Sequence, residues 1–554
     1  MNNDKQQILA ILDEITYLLE LKGENVFKIS AFKKAYSIIS GIQEDLYKLY
    51  ESGQLAQMKG IGKGILSVIA DYFNLGYSTA LREIKTEVPE GLIEINKLRG
   101  LGPKKAIQLY FEFGITNISK LESFCLSGDI TKIKGFTDAS AEKLIESIRL
   151  YKQNQNFIRS DVAGVLVDEI LGIFDAFPEV EEYSVTGEFR RNMEVISTLE
   201  FVIMTEAPEP VLHELRVLLD VPDLNYSKPS SFADKIDIIV HCETNNNDYC
   251  LTLYRTTGSE EFIQKYNLQD ISTQGLFSED DVFKRFKLPY FNPEMREEEL
   301  LPFVDDARFK TSDLKLQDFK GCFHFHTNFS DGANTLSEMV FAGLAMGYKY
   351  FAVCDHSKAS FQASGMWEDK VFKQKEVISA VAAEHKTTIF HGIEADILRD
   401  GSLDYGDEFL INFDFVVASI HSRFSLNKDE MTARILRAVE NPHTDVLGHP
   451  SGRILLERPE FEADYDKIID ACRANNVAIE INASAYRLDL DWRRIFKARD
   501  KNCLFSINPD AHSTTQLNSV RYGIKIARKA GMKSSEVINC YDLETFRTFL
   551  RRKK

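Results

Sequence analysis

The sequence contains no apolar run near the ~20 residues that a membrane-spanning helix requires, so we expect no association with a membrane. Its first residues are polar and lead directly into an amphipathic pattern, so we expect no signal peptide. The eight cysteines form no Cys-x-x-Cys pair, and several lie inside apolar runs, as is typical of reduced core cysteines. Together these absences favour a cytoplasmic protein.

An excess of basic charge is also missing. The formal net charge of −17 argues against a protein that binds nucleic acid over a generally basic surface. Residues 1–150 differ from the rest, because their 19 Lys and Arg balance 19 Asp and Glu. Local binding of DNA is therefore compatible with the charge pattern. The length of 554 residues exceeds what one hydrophobic core supports and predicts three or more domains.

A glycine-rich pattern recurs in the first 150 residues, each time between apolar segments of helical periodicity. Residues 58–64 (MKGIGKG) and 98–106 (LRGLGPKKA) are two good copies, and 133–138 (IKGFTD) is a weaker third. Glycine lets the main chain turn sharply beside a phosphate, and the free amides of the next helix can bind that anion. Such contacts carry no base-specific information, so the pattern predicts sequence-independent DNA binding. The predicted contact residues are Gly60, Gly62, Lys63, Gly64, Gly100, Gly102, Lys104 and Lys105.

These hairpins, together with residues 20–32 (ELKGENVFKISAF), resemble the N-terminal part of bacterial family X DNA polymerases. The likeness continues in residues 183–191 (YSVTGEFRR), which are similar to the strand and turn that open the family's palm. The resemblance implies a helix-hairpin-helix region followed by an α+β palm and a thumb. In the family, three palm carboxylates hold two Mg²⁺ ions for nucleotidyl transfer.

The resemblance also implies that this polymerase site has lost its metal ligands. Asp237 matches the third carboxylate, but Thr198 and Glu200 stand where the family has its paired aspartates, and Glu188 replaces a phosphate-binding serine. Mg²⁺ tolerates little departure from octahedral geometry, and a carboxylate in the triphosphate site repels the substrate. We therefore expect an inactive polymerase core without bound Mg²⁺. The residues of this degenerate site are Gly187, Glu188, Arg190, Arg191, Thr198, Glu200 and Asp237.

The last 240 or so residues place potential metal ligands at the ends of short apolar runs. The first pair is a His-x-His, which sends both imidazoles to one face of a strand. Alternation of such strands with helical patterns predicts a parallel sheet, and polar ligands at the strand ends predict a closed barrel with its site on that rim. The predicted ligands are His324, His326, Asp331, His356, Glu394, His421, His449, Asp510 and His512.

This segment resembles a PHP (polymerase and histidinol phosphatase) domain, which implies a distorted barrel of about seven strands. The resemblance implies up to three ions: one at His324, His326, Glu394 and Asp510, one shared by Glu394 with His421 and His449, and one at Asp331, His356 and His512. We expect two to three divalent ions of Mn, Zn or Fe, because imidazole and carboxylate ligands suit them. Paired cations ionise a bound water and can hydrolyse a phosphate ester. Arg453 and Arg487 are candidate phosphate contacts beside this water.

The predicted domains are an N-terminal helical domain with the first hairpin (1–85), the second and third hairpins (86–152), a degenerate palm (153–243), a thumb-like segment (244–315) and the PHP domain (316–554). Family X–PHP fusions imply a 3′–5′ exonuclease in DNA repair. We expect a bacterial, nucleoid-associated monomer that binds gapped or 3′-ended DNA. The alternatives are a gap-filling polymerase with PHP as its editor, a small-molecule phosphatase such as one for histidinol phosphate, and a DNA-binding scaffold.

Overall fold

The computed structural model describes residues 3–42, 44–232, 236–303 and 312–551. The chain divides into two compact units, Met1–Asn154 and Gln155–Lys554. Within the described ranges, no helix combines the length and apolarity needed to cross a bilayer.

All the regular secondary structure that the structure describes in the first unit is helical. Its helices are α1 (Asn3–Lys22), α2 (Val26–Gly41), α3 (Leu46–Glu51), α4 (Lys63–Leu75), α5 (Thr79–Glu87), α6 (Glu90–Asn96), α7 (Pro103–Phe113), α8 (Ile118–Leu126) and α9 (Asp138–Asn154). The three glycine-rich turns lie directly before α4, α7 and α9, as the sequence pattern predicts. Leu12, Ile15 and Leu19 line the buried face of α1, which has the helical spacing expected from the sequence.

A four-stranded sheet forms the centre of the next part. The elements are β1 (Ile158–Arg159), α10 (Ser160–Ala176), β2 (Glu182–Thr186), α11 (Gly187–Arg190), β3 (Val195–Ile196), β4 (Thr198–Met204), α12 (Pro208–Leu219), β5 (Ser230–Phe232) and β6 (Ile236–Glu243). The order β2-β4-β6-β5 has antiparallel outer pairs and a parallel β4–β6 pair. The short β1 and β3 pair separately.

A small helical segment follows this palm sheet. It contains α13 (Asn246–Thr257), α14 (Glu260–Lys265) and α15 (Glu279–Arg285). Tyr254, Phe262 and Phe283 form an aromatic core for these helices. Part of the predicted thumb-like segment, residues 304–311, lies outside the described residues.

Seven parallel strands form the last domain. The elements are β7 (Gly321–Phe323), α16 (Leu336–Ala345), β8 (Tyr350–Val353), α17 (Glu368–His385), β9 (Thr388–Asp396), α18 (Asp407–Leu410), β10 (Phe415–Ser419), α19 (Lys428–Val439), β11 (Val446–Leu447), α20 (Tyr465–Asn475), β12 (Ala478–Asn482), α21 (Trp492–Asp500), β13 (Phe505–Asn508), α22 (Val520–Lys529) and α23 (Leu543–Arg551). The strands are neighbours in chain order from β7 to β13, so the predicted seven-stranded parallel architecture is confirmed.

The barrel closes just beyond its first and last strands. A parallel bridge pairs Phe325 with Ala511, and the His326 amide donates to the Ala511 carbonyl at 2.8 Å. Aromatic side chains fill the interior, and Phe546 of α23 stacks on Phe323 with ring centroids 4.6 Å apart. The C-terminal helix therefore packs into this interior core.

The His-x-His segment departs from simple strand alternation. Phe323 belongs to the interior cluster, whereas Phe325, two residues later, belongs to the outer core with Cys322. His324, between them, has a left-handed backbone with φ 48°. This turn reverses the alternation of inward and outward side chains after Phe323. Both imidazoles therefore face the site and not the outer layer of helices.

Candidate metal centre and DNA-binding hairpins

Glu394 lies at the centre of the predicted ligands, at the C-terminal part of β9. Its carboxylate is 99% buried, and five imidazoles approach its two oxygens. The nitrogen–oxygen distances are 3.3 Å for His324, 3.7 Å for His326, 2.8 Å for His356, 3.1 Å for His421 and 3.0 Å for His449. Four different strand ends contribute these histidines, so the closed barrel itself assembles the cluster.

The other predicted ligands complete the cluster around Glu394. Asp510 Oδ1 lies 3.1 Å from His326 Nε2, and Asp331 Oδ1 lies 3.4 Å from His512 Nε2. The structure thus brings all nine predicted residues to one site. Three groups have the compactness of an ion site: His324, His326 and Asp510; His356, Glu394 and His421; and His326, Asp331, His356 and His512.

This grouping differs in part from the one implied by the resemblance. His356 is placed with Asp331 and His512, but its Nδ1 faces Glu394 while its Nε2 faces Asp331 at 3.7 Å. It therefore lies between two of the groups. His449 belongs to none of the three, although its Nε2 is 3.0 Å from Glu394.

Several atoms of the cluster are buried without a hydrogen-bond partner. They include His324 Nε2, His356 Nδ1 and Glu394 Oε2. Buried polar atoms are normally paired, and these nitrogens and oxygens face one another without donor–acceptor alignment. That donor set fits a divalent ion, because imidazole and carboxylate ligands suit Zn, Mn and Fe.

The local backbone also departs from ordinary geometry. His324, His449 and Asp510 all have positive φ, at 48°, 25° and 49°. L-residues rarely adopt this region, and such strain concentrates at functional sites because the surrounding fold must impose it.

Burial and neighbouring charges hold two of the ligands, His326 and Glu394, in the forms that bind metal. Burial, with the imidazoles of His356 and His512, lowers the pKa of His326 to about 3. Burial opposes ionisation of Glu394, but His421 and His356 outweigh it and hold the pKa of that carboxyl well below its ordinary value. A neutral imidazole and a charged carboxylate are the forms that bind metal.

A second layer of carboxylates, which sequence reasoning missed, orients the histidines. Glu480 Oε1 lies 2.5 Å from His324 Nδ1, and its other oxygen accepts from the His449 amide at 2.7 Å. Asp396 Oδ1 lies 3.0 Å from His421 Nδ1. Such partners fix the ring orientation of a ligating histidine. Both acids lie inside apolar strands. A charged residue within such a buried run is the sequence signal that could have identified them.

The two predicted phosphate contacts have different environments. The Arg453 guanidinium pairs with Glu194 at 3.2 Å and Asp491 at 2.9 Å, and also bonds to the Leu488 carbonyl. These partners occupy it, so the structure corrects its prediction as a phosphate contact. Arg487 Nε lies 3.7 Å from Asp510, and its Nη1 is buried without a hydrogen-bond partner. Arg487 therefore keeps an unused donor beside the ligands.

Two family models match the chain, a helix-hairpin-helix domain over residues 3–78 and a PHP domain over residues 323–484. The DNA polymerase/3′-5′ exonuclease PolX of Bacillus subtilis (strain 168) is 33% identical over 578 residues, which cover 99% of this chain and 99% of that protein. The chain belongs to family X of the DNA polymerases. Its expected helix-hairpin-helix and PHP regions are thereby confirmed.

Other relatives of this family X chain match a smaller part of it. A protein named "Probable phosphatase" from Acetivibrio thermocellus is 28% identical over 240 residues, covering 42% of this chain and 95% of that protein. The crystal structure of histidinol phosphate phosphatase from Lactococcus lactis, complexed with zinc, L-histidinol and phosphate, matches with 20% identity and a TM-score of 0.31, covering 39% of this chain and 95% of that one.

The palm sheet of this family X chain places Thr198, Glu200 and Asp237 on two adjacent strands. Thr198 of β4 pairs with Asp237 of β6 in parallel register, and Glu200 follows on the same face. Glu200 Oε2 lies 3.5 Å from His241 Nε2. Within the described ranges, this sheet contains no group of ligands compact enough for an ion.

The phosphate-binding turn of the palm is used internally. The turn needs Gly187, which has φ 63° and leaves only 2.8 Å between an added Cβ and a Glu200 oxygen. The Glu188 carboxylate accepts from the Ser197 amide at 2.6 Å and from the Thr198 amide at 3.2 Å. Glu188 therefore caps the backbone amides at the start of β4.

The paired arginines of the same turn are bound by buried acids. Arg190 Nη2 lies 2.7 Å from Glu279, and Arg191 Nε lies 2.9 Å from Glu297. Arg191 also donates to the Thr257 carbonyl at 3.0 Å. These guanidinium groups tie the turn to the following segment.

The first two family X hairpins have the geometry expected of phosphate sites. Gly60 and Gly100 have φ 110° and 92°, which only glycine adopts readily. Gly62 and Gly102 cap α4 and α7 without any side-chain hydrogen bond to the first turn. Because no side chain caps them, the first amides of α4 and the Lys104 amide of α7, which follows a proline without an N–H, are available to a phosphate. Gly64, Lys63 and Lys104 are exposed beside them.

The third hairpin is different. The Thr137 amide donates to Ser140 Oγ at 2.7 Å, and Asp138 places a negative charge in the first turn of α9. Lys105 of the second hairpin donates to the Gly135 carbonyl at 3.0 Å and lies over the Phe136 ring. Lys105 thus supports the third hairpin, and its contact with DNA stays a prediction.

Proposed function

We propose that this chain is a metal-dependent 3′–5′ exonuclease that acts on DNA in repair, and that its polymerase core no longer extends primers. The single observation that carries the proposal is the buried Glu394 carboxylate with five imidazoles within 3.7 Å. The named activity of the PolX relative supports the polarity.

We propose the nine predicted residues as ligands of two to three ions of Mn, Zn or Fe. When bound, such ions lower the pKa of a water and stabilise charge on phosphate oxygens. Glu480 and Asp396 hold the rings of His324 and His421 in place. Arg487 is positioned to donate its free Nη1 to a phosphate oxygen of the strand being cleaved.

The hairpins at Gly60–Gly64 and Gly100–Lys104 would bind the sugar–phosphate backbone without regard to sequence. The domain boundaries 1–85, 86–152, 153–243, 244–315 and 316–554 remain proposals, as do monomeric state and a nucleoid location in the cytoplasm. Three palm residues support loss of synthesis. Thr198 offers no carboxylate beside Asp237, Glu200 lies 3.5 Å from His241, and Glu188 places a carboxylate in the turn.

One gapped substrate separates nuclease from polymerase. A duplex with a short gap and a 5′-labelled primer, incubated with Mn²⁺, should lose nucleotides from the primer 3′ end whether or not deoxynucleotides are present. Gel electrophoresis of the labelled primer detects both its shortening by the nuclease and its elongation by a polymerase. Elongated primer would establish the gap-filling alternative, and faster hydrolysis of histidinol phosphate than of DNA would establish the phosphatase alternative.

The hairpin lysines should contribute separately to DNA affinity. Lys63→Ala and Lys104→Ala should each weaken binding for all sequences, and each should reduce the slope of log K against log salt by about 0.9, the value per phosphate contact. Fluorescence anisotropy of a labelled duplex at several salt concentrations measures this. Lys143→Ala, an exposed lysine of α9, is the matched control and should leave the slope unchanged. Equal slopes in all four proteins would contradict these contacts.

A further inference from the structure

An open cleft of about 510 Å³ lies beside the metal centre. Asn328, Phe329, Gly365, Trp367 and Lys370 line it. Its volume is in the range of pockets that hold small molecules or parts of larger ligands. No residue of this cleft belongs to the nine predicted ligands.

Two chain segments connect the cleft directly to those ligands. Phe329 lies between the ligands His326 and Asp331 in the sequence. On the other side, the amide of Met366, the residue before Trp367, donates to the His356 carbonyl at 2.8 Å. The cleft is therefore built from the same two loops that carry His356 and Asp331.

Trp367, which lines the cleft, and Phe361, which lies outside its lining, are both strongly exposed. Trp367 is 60% exposed and Phe361, in the same loop, is 82% exposed. Large apolar rings at a surface mark binding sites when they stand together with polar groups. Lys358 Nζ lies 5.7 Å from the Trp367 ring centroid, and Lys370 and Lys373 line the cleft. Glu368 pairs with Lys358 at 2.8 Å and Asp369 pairs with Lys373 at 3.7 Å. Lys370, whose Nζ donates to the Ser364 carbonyl at 3.1 Å, carries the remaining positive charge of the cleft.

We propose that this cleft is a nucleobase subsite, in which the unpaired base next to the cleaved phosphate stacks on Trp367. The inference rests on the proposed nuclease function and specifies its substrate as an unpaired 3′ end. An aromatic platform with adjacent lysines is the combination that binds single-stranded nucleic acid, since every base has a face to stack and every nucleotide a phosphate. A duplex end would have to separate before its terminal base could enter.

Tryptophan fluorescence tests the subsite directly, because the chain has two tryptophans and Trp492 is fully buried. Titration with a 12-nucleotide oligothymidylate, protected from hydrolysis by 3′ phosphorothioate linkages, should quench the emission of Trp367. The same oligonucleotide with abasic sites at its last two 3′ positions retains the phosphates and should not quench. Equal quenching by both would overturn base stacking.

Kinetics on unprotected single strands supply the second readout. Trp367→Ala should raise KM by about tenfold, within the range that base stacking contributes, whereas Trp367→Phe should stay close to wild type. On the abasic 3′ end, wild type and Trp367→Ala should be equal. Phe341→Ala, which removes a 64% exposed ring from the outer helix α16, is the control and should change nothing.

The outcomes separate this inference from the proposed function. Hydrolysis by wild type with an unchanged KM in Trp367→Ala and no quenching would refute the subsite alone. Absence of hydrolysis in wild type would refute the nuclease, while base-dependent quenching in that same protein would still support the subsite.

Discussion

Glu394→Gln should abolish release of nucleotides from a 3′ end. The substitution keeps the size of the side chain but removes the one negative charge that faces five imidazoles. Metal-ion catalysis of hydrolysis is worth several kcal/mol, so we expect a loss of about a thousandfold or more at 1.36 kcal/mol per tenfold. The amide is a poor bridging ligand, and we expect metal content to fall as well.

Two measurements check this expectation. Rates on a 5′-labelled single strand with Mn²⁺ give the loss of activity, and elemental analysis of the purified protein gives ions per chain. Glu440→Gln makes the same chemical change at an exposed position after α19 and should match wild type in both. Undiminished hydrolysis by Glu394→Gln would remove the barrel site from the mechanism.

Glu297→Ala should strongly destabilise the folded protein. Glu297 is buried and lies 2.5 Å from Lys529 of α22, whose side chain is fully buried, and 2.9 Å from Arg191 of the palm. Burial opposes its ionisation, but Lys529 and Arg191 outweigh it and lower the pKa of its carboxyl. Removing the acid leaves two buried cations without their counter-charge, which typically costs 3–5 kcal/mol.

Urea unfolding followed by circular dichroism measures that loss as a fall in the transition midpoint. The matched control is Glu544→Ala, since Glu544 is 76% exposed and its pair with Arg547 should contribute at most about 1 kcal/mol. A midpoint equal to that of Glu544→Ala would show that water or neighbouring groups replace the lost carboxylate, and that the network contributes little.

Residues with a local signature were predictable from the sequence. His324 and His449 stand at the ends of apolar runs, and parallel strands of a barrel bring such ends to one rim. Gly60 and Gly100 stand in turns that only glycine allows. In each case the short-range pattern and the final environment agree, so one sequence was enough.

Residues whose role depends on distant partners were not predictable. Arg453 looks like a rim arginine from its place after His449, yet Glu194 of the palm binds it. Glu480 resembles any acid in a strand until β7 and β12 bring it to His324. No local sequence pattern specifies these partners, because they lie 259 and 156 positions away along the chain.

The closing bridge between Phe325 and Ala511 has a thermodynamic consequence. His324 and His326 follow the first strand of the barrel and Asp510 follows the last, and the three form one of the compact ligand groups. An ion held there would join the two ends of the sheet across a boundary that has one backbone bridge. Metal binding would then stabilise the closed barrel, and closure of the barrel would in turn raise the affinity for the metal.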